Sequence, residues 1–199
     1  MHSILEKYLP IDLLPLVESI IKENKIHLTI TPNRKSKAGD YRSPQNGKGH
    51  RISINGNLNK YAFTITFFHE YAHLLVWETY KNKVLPHGAE WKSVFSRMLK
   101  KLLKNKIFPG KLAVVLENYS INPKASTYSD MYLAKELKKY DKKSLFLKSL
   151  IEIETGKSFK LENGRIFVKG NMKRTRIWCK ETKTNAIYAF NPNVEVIEL

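Results

Sequence analysis

Residues 66–77, TFFHEYAHLLVW, constrain this chain more than any other stretch. On a helix, positions i and i+4 lie one turn apart on one face. His69 and His73 therefore share a side, with Glu70 next to the first of them. Phe67, Tyr71, Leu74 and Trp77 mark the same helix as a core element. Burying two unpaired imidazoles and a carboxylate is costly, so the three groups need either polar neighbours or a common partner.

The residue types suit a metal ion. A catalytic zinc site takes three protein ligands, keeps one position open, and holds a base beside the attacking water. His69 and His73 supply two ligands. Glu70 can take a proton from the water and pass it to a leaving amine without ligating the metal. The third ligand is not in the motif itself. The pattern with Gly three and His six residues after the second His is excluded, because Val76 and Thr79 occupy those positions. His87, in LPHGAEW, is the natural candidate, since Pro86 and Gly88 favour a tight turn back to the helix. Glu90 is a rival carboxylate ligand, although near a helix start it also favours the helix dipole. His2, His27 and His50 lack comparable framing.

The flanking sequence supplies both helices and strands. LLPLVESIIKEN spaces apolar residues on one helical face, with Asp12 as expected cap. IHLTI and RISIN alternate as strands, and the polar segment between them predicts an exposed turn or hairpin. Asn57 or Asn59 is expected to cap the long helix reaching Tyr80. A second helix over about residues 89–105 places Trp91, Val94, Phe95, Met98, Leu99, Leu102 and Leu103 on its apolar face and turns lysines and arginines outward. NYSINPKASTYSD reads as a linker, followed by a short helix, MYLAKELKKYD. From about Lys157 the pattern is all β, in about five strands.

Charge bears on partners. Thirty-five Lys and Arg against 18 Asp and Glu give a formal net charge of +17. Seven of the positive residues fall between Lys92 and Lys111, with no acidic residue among them. Such an excess points to an anionic partner, nucleic acid ahead of an anionic membrane, with a ribosome-adjacent or merely soluble basic protein as the plainer reading; nucleic acid would be bound electrostatically and without sequence preference. No apolar run is long enough to cross a membrane, and no secretory signal is evident. Cys179 alone can form no internal disulfide, which fits a reducing cytoplasm, with association to the nucleoid open.

HEYAH followed by HGAEWK resembles the SprT-like zinc metallopeptidases, in which a His-Glu-x-x-His helix precedes a His-Gly turn. The turn here is His87-Gly88, with Trp91 as the aromatic three residues after the glycine; GDYRSP and HRISINGNL are similar to the family's strands before its active helix. The resemblance implies that His69, His73 and His87 bind one zinc ion and that Glu70 is the catalytic acid/base. It also implies proteolysis of proteins bound or crosslinked to DNA. Many members carry a zinc ribbon of four cysteines, and Cys179 alone cannot supply one.

The expectation is an α+β fold: a zincin-like metallopeptidase domain over 1–120, a linker and short helix over 121–156, and a basic, ribbon-like β appendage without zinc cysteines over 157–199. Lys169, Lys173, Arg174 and Arg176 make that appendage a candidate DNA contact. RISIN, beside the active helix, is expected to align a peptide by strand addition. Tyr41 and Arg42 are further candidates for approaching a reacting carbonyl. The competing reading is a DNA-associated binding or regulatory protein that keeps its zinc site but has little peptidase activity.

Overall fold

The computed structural model describes residues 2–34, 36–141 and 147–199. The fold is α+β, and the chain separates into two compact units, divided between Asp141 and Lys142.

The first unit is built around one apolar helix. After a short helix α1 (His2–Leu5) and a 3-10 turn at Ile11–Leu13, α2 spans Leu14–Glu23. Its N-cap is Leu13, with no side-chain cap, so Asp12 sits in the preceding turn and does not serve as the expected cap. Pro15 occupies the first helical turn, where its missing N–H costs nothing. Three strands follow: β1 (His27–Thr31), β2 (Gly39–Arg42) and β3 (Arg51–Asn55). They form a sheet of order β1-β3-β2, with β3 parallel to β1 and antiparallel to β2. Alternation along β3 sends Ile52 and Ile54 into the core and leaves Ser53 on the other face.

RISIN is therefore the central strand and has no free edge. A peptide cannot add to it; the edge strands are β1 and β2, and β2 is the one that lines the site.

Helix α3 (Lys60–Tyr80) carries the His-Glu-x-x-His motif. It is buried on nearly all sides, as its near-continuous apolar sequence requires. Asn59 caps it, accepting from the N–H groups of Tyr61 and Ala62 at 3.1 and 2.9 Å. Its amide nitrogen donates to Leu137 O at 2.9 Å and Asp141 Oδ1 at 2.6 Å. One buried side chain thus starts α3 and fixes the end of a much later helix.

Helices α4 (Ala89–Lys104), α5 (Gly110–Ile121) and α6 (Met131–Lys138) complete the unit. Leu112, Leu116, Tyr119, Leu133 and Leu137 join the same core as α3, so this core extends past residue 120 into the segment read as a linker and short helix.

The second unit is a six-stranded antiparallel sheet of order β4-β9-β5-β6-β7-β8. The strands are β4 (Leu147–Ser149), β5 (Ser158–Lys160), β6 (Ile166–Lys173), β7 (Arg176–Glu181), β8 (Ile187–Phe190) and β9 (Glu195–Glu198). Its small core gathers Leu150, Ile153, Phe159, Phe167, Ile177, Cys179 and Val196. Lys169 is buried in this unit, with its ammonium donating to the carbonyls of Ile151 and Ile153. A buried lysine is tolerated when backbone oxygens replace its water. A bulge on β6 brings Gly170 so close to the Trp178 carbonyl that any side chain there would collide with it.

Candidate metal centre

His69 and His73 project from adjacent turns of α3, and His87 reaches the same point from the loop between α3 and α4. That loop begins where Lys81 takes a positive φ of 52° and ends the helix. It closes with a turn in which Gly88 N–H donates to Leu85 O at 3.0 Å, and Gly88 then caps α4. The turn delivers His87 back over α3.

The three Nε2 atoms form a near-equilateral triangle. His73 to His69 is 3.3 Å, His73 to His87 is 3.1 Å, and His87 to His69 is 3.3 Å. Metal–nitrogen bonds of about 2.0–2.1 Å at tetrahedral angles would separate ligand nitrogens by roughly 3.3 Å. The set therefore fits a small divalent cation and could hold one. Glu90, in the first turn of α4, is not part of this group.

Electrostatics agree with that role. Burial lowers the His69 pKa to about 3, helped by His73 and His87. Burial and His87 lower that of His73 to about 4, and burial lowers that of His87. Neutral imidazoles that close together point lone pairs at one another, and a cation between them relieves the repulsion. Trp91, fully buried, forms the floor: its ring lies 4.6, 5.4 and 4.7 Å from those of His69, His73 and His87. Its indole N–H donates to His69 O at 3.4 Å.

Glu70 lies beside the triangle, buried against β2. Burial first, and then Asp40, raises its pKa to about 8, while the Tyr41 backbone N–H donates to it and works the other way. Gly39 makes this possible. A Cβ there would sit 2.6 Å from Thr66 Cγ2 and closer still to the Glu70 carboxylate. Sequence reasoning missed Gly39, although an isolated glycine beside Asp-Tyr-Arg is the signal of a strand with a close neighbour.

Tyr41 stands at the wall of the site with its ring parallel to that of His73, centroids 6.4 Å apart. Its hydroxyl bonds His50 Nδ1 at 2.9 Å, and His50 Nε2 bonds Glu78 Oε1 at 2.8 Å. His50 is thus a clasp between the sheet and the end of α3, not a fourth ligand. Arg42 is held by Asp40 at 2.9 Å. His27 lies exposed at the start of β1, and the His2 side chain is outside the described residues.

Two cavities meet at Gly39, His69 and Glu70. One, of about 720 Å³, is lined by Tyr41, Trp77, Val84, Leu85 and His87. The other, of about 540 Å³, is lined by Arg34, Lys37, Asn57, Thr66 and Thr127. Together they make a cleft along the β2 edge with the triangle near its middle.

Residues 14–109, which include the helix, the turn and all three histidines, match the SprT-like family. Over this region the chain belongs to that family. No curated protein and no solved structure matches the chain. The SprT-like region ends within the first unit, and the six-stranded sheet lies outside it.

Proposed function

We propose that this SprT-like protein is a zinc-dependent metalloendopeptidase that hydrolyses peptide bonds of proteins bound or crosslinked to DNA. The observation that carries the reading is the His69–His73–His87 triangle with Glu70 beside it in an open cleft. A purely structural site closes its coordination with a fourth protein ligand and has no use for a buried carboxylate. Among the described residues, no fourth ligand joins the three histidines.

Zinc, held by His69, His73 and His87, supplies Lewis-acid polarisation when bound. Glu70, beside the three histidines, would take the proton of the attacking water and return it to the leaving amine. Gly39 keeps the space in which Glu70 works. The β2 edge, running along the cleft, is suited to hold a peptide by main-chain bonds, which gives low sequence preference.

The DNA setting rests on charge. Arg97, Lys100, Lys101 and Lys104 line one exposed face of α4, and the chain carries +17 overall. Phosphate attraction of this kind concentrates an enzyme on DNA without reading sequence.

The test is incubation of zinc-loaded protein with a DNA-bound protein substrate, with and without DNA, beside Glu70→Gln. Cleavage by the wild type alone, faster with DNA, is expected. Equal cleavage by both proteins, or by neither, sinks the peptidase reading. Zinc binding without cleavage favours the regulatory alternative.

A further inference from the structure

The two cavities that meet at Gly39, His69 and Glu70 differ in chemistry, and strand β2 gives the difference a direction. The larger has an apolar wall of Tyr41, Val76, Trp77, Val84 and Leu85. Leu85, on the loop that delivers His87, is 75% exposed there. The cations of this cavity are already matched, Arg42 with Asp40 at 2.9 Å and Lys81 with Glu78 at 3.2 Å. The smaller cavity is lined mainly by asparagine, serine and threonine, with Arg34 and Lys37 as its cations. Strand β2 starts at the polar cavity, with Gly39, and runs into the apolar one through Tyr41 and Arg42.

Arg34 is anchored beside the site yet not used up. Its Nε donates to Asn55 Oδ1 at 2.8 Å, one terminal nitrogen to Ser53 Oγ at 2.9 Å, and the other to Ser53 O at 3.2 Å. A guanidinium has five N–H groups, so two are left over. No carboxylate pairs with Arg34 among the described residues, whereas Lys37 is matched to Asp40 at 2.8 Å. Asp141, an acid on the same wall, accepts from the Asn59 amide at 2.6 Å. Both cations are near enough to Glu70 to work against the rise in its pKa. A guanidinium held in place in this way loses little freedom on meeting a carboxylate and offers it charge-assisted bonds.

A peptide added to the β2 edge pairs slightly better antiparallel than parallel. Its earlier residues then lie at the Tyr41 end and its later ones at the Gly39 end. We propose that the cleft selects the residues on either side of the scissile bond: a large apolar side chain before it, against Trp77 and Leu85, and an aspartate or glutamate after it, bound by Arg34. The inference rests on the peptidase reading for the bond that breaks and adds the sequence around it. Main-chain pairing sets the frame, and the two cavities bias what fills it.

The experiment uses peptides of about twelve residues, blocked at both ends, with Phe-Asp, Phe-Asn, Ala-Asp or Asp-Phe in a Gly-Ser frame. Fluorescence anisotropy gives their affinity for zinc-loaded Glu70→Gln, and mass spectrometry gives kcat/KM and the bond cut for the zinc-loaded wild type. Phe-Asp should bind roughly tenfold more tightly than each of the others and be cut between Phe and Asp. Adding Arg34→Gln should bring Phe-Asp and Phe-Asn within about twofold of each other, a ratio that a partial loss of folded protein does not change. Leu85→Ser, at an exposed position, should lower the preference for Phe-Asp over Ala-Asp severalfold. Should Arg34→Gln fail to fold, the four peptides on Glu70→Gln decide. A peptide ending at Phe-Asn with a free C-terminus should bind less tightly than Phe-Asp; if it binds as tightly, Arg34 reads chain ends and the side-chain assignment fails. Equal affinity for Phe-Asp and Phe-Asn, tighter binding of Asp-Phe, or no binding of any peptide overturns the proposal. The expected preference in binding without cleavage by the wild type fails the peptidase reading and leaves the two subsites standing; cleavage without preference does the reverse.

Discussion

Glu70 shows how one neighbour can decide what a side chain is able to do. Gly39 lets β2 approach α3 until the carboxyl is largely buried, and burial raises its pKa from 4.5 to about 8. A raised acid contributes stability that is fully present below its unfolded pKa of 4.5 and is lost as pH rises through the folded value. In metal-free protein, Glu70→Gln cannot ionise and escapes that loss. The variant should therefore gain on the wild type as pH rises from 5 to 8, by on the order of several kcal/mol, and hold a constant advantage above that. The three histidines, lowered together, weaken both proteins equally as pH falls below 6.5 and cancel in the difference. Urea melts of both proteins at a series of pH values, with chelator present, measure it. An advantage independent of pH would mean that Glu70 ionises as readily folded as unfolded.

At the level of elements, the site is a helix, a turn and a strand edge, and these were not equally legible. The α3 motif and the His87-Gly88 turn could be read because helical spacing and turn chemistry are local. Strand order is not local: RISIN alternates as a half-exposed strand would, yet β1 and β2 pair on both its sides and take the two edges. Alternation alone does not mark β2, because Gly39–Arg42 has a single large apolar side chain; only the resemblance of GDYRSP to the family's strands points to it, and its place depends on contact with α3. Helix α5 is not read from the sequence, and its last residues, 118–121, fall in the stretch that reads as a linker; Pro109 is its N-cap residue, and Leu112, Leu116 and Tyr119 pack inward. Asn59 joins the early and late elements. It satisfies two N–H groups at the start of α3 and donates to Leu137 O and Asp141. Asn59→Ala should cost about 2 kcal/mol, more than an exposed cap, because buried partners lose their bonds as well. Chemical denaturation gives the number, and a loss below about 0.5 kcal/mol would show that water replaces the amide.

The whole molecule has two cores. One runs from Leu5 to Leu137 around α3, and the other lies within the six-stranded sheet, with no residue common to both. Basic charge could be read from composition, but the pairing of its second half could not. Lys169, counted with the basic cluster of the appendage, is buried on backbone carbonyls, while Lys173, Arg174 and Arg176 remain outside. Separate cores also make metal binding a local event. The three histidines lie in the first unit, so a zinc ion held by them would stabilise that unit by linkage. Calorimetry of the metal-free chain should resolve two transitions. Zinc at about 100 times its dissociation constant should raise one of them by roughly 3 kcal/mol, or on the order of 10 °C, and leave the other in place. His87→Ala should remove most of that shift without altering the unmoved transition. If zinc moves both transitions together, the two units unfold as one and their cores are not energetically separate. If His87→Ala keeps the full shift, the third ligand is another residue, and Glu90 returns as the first to test.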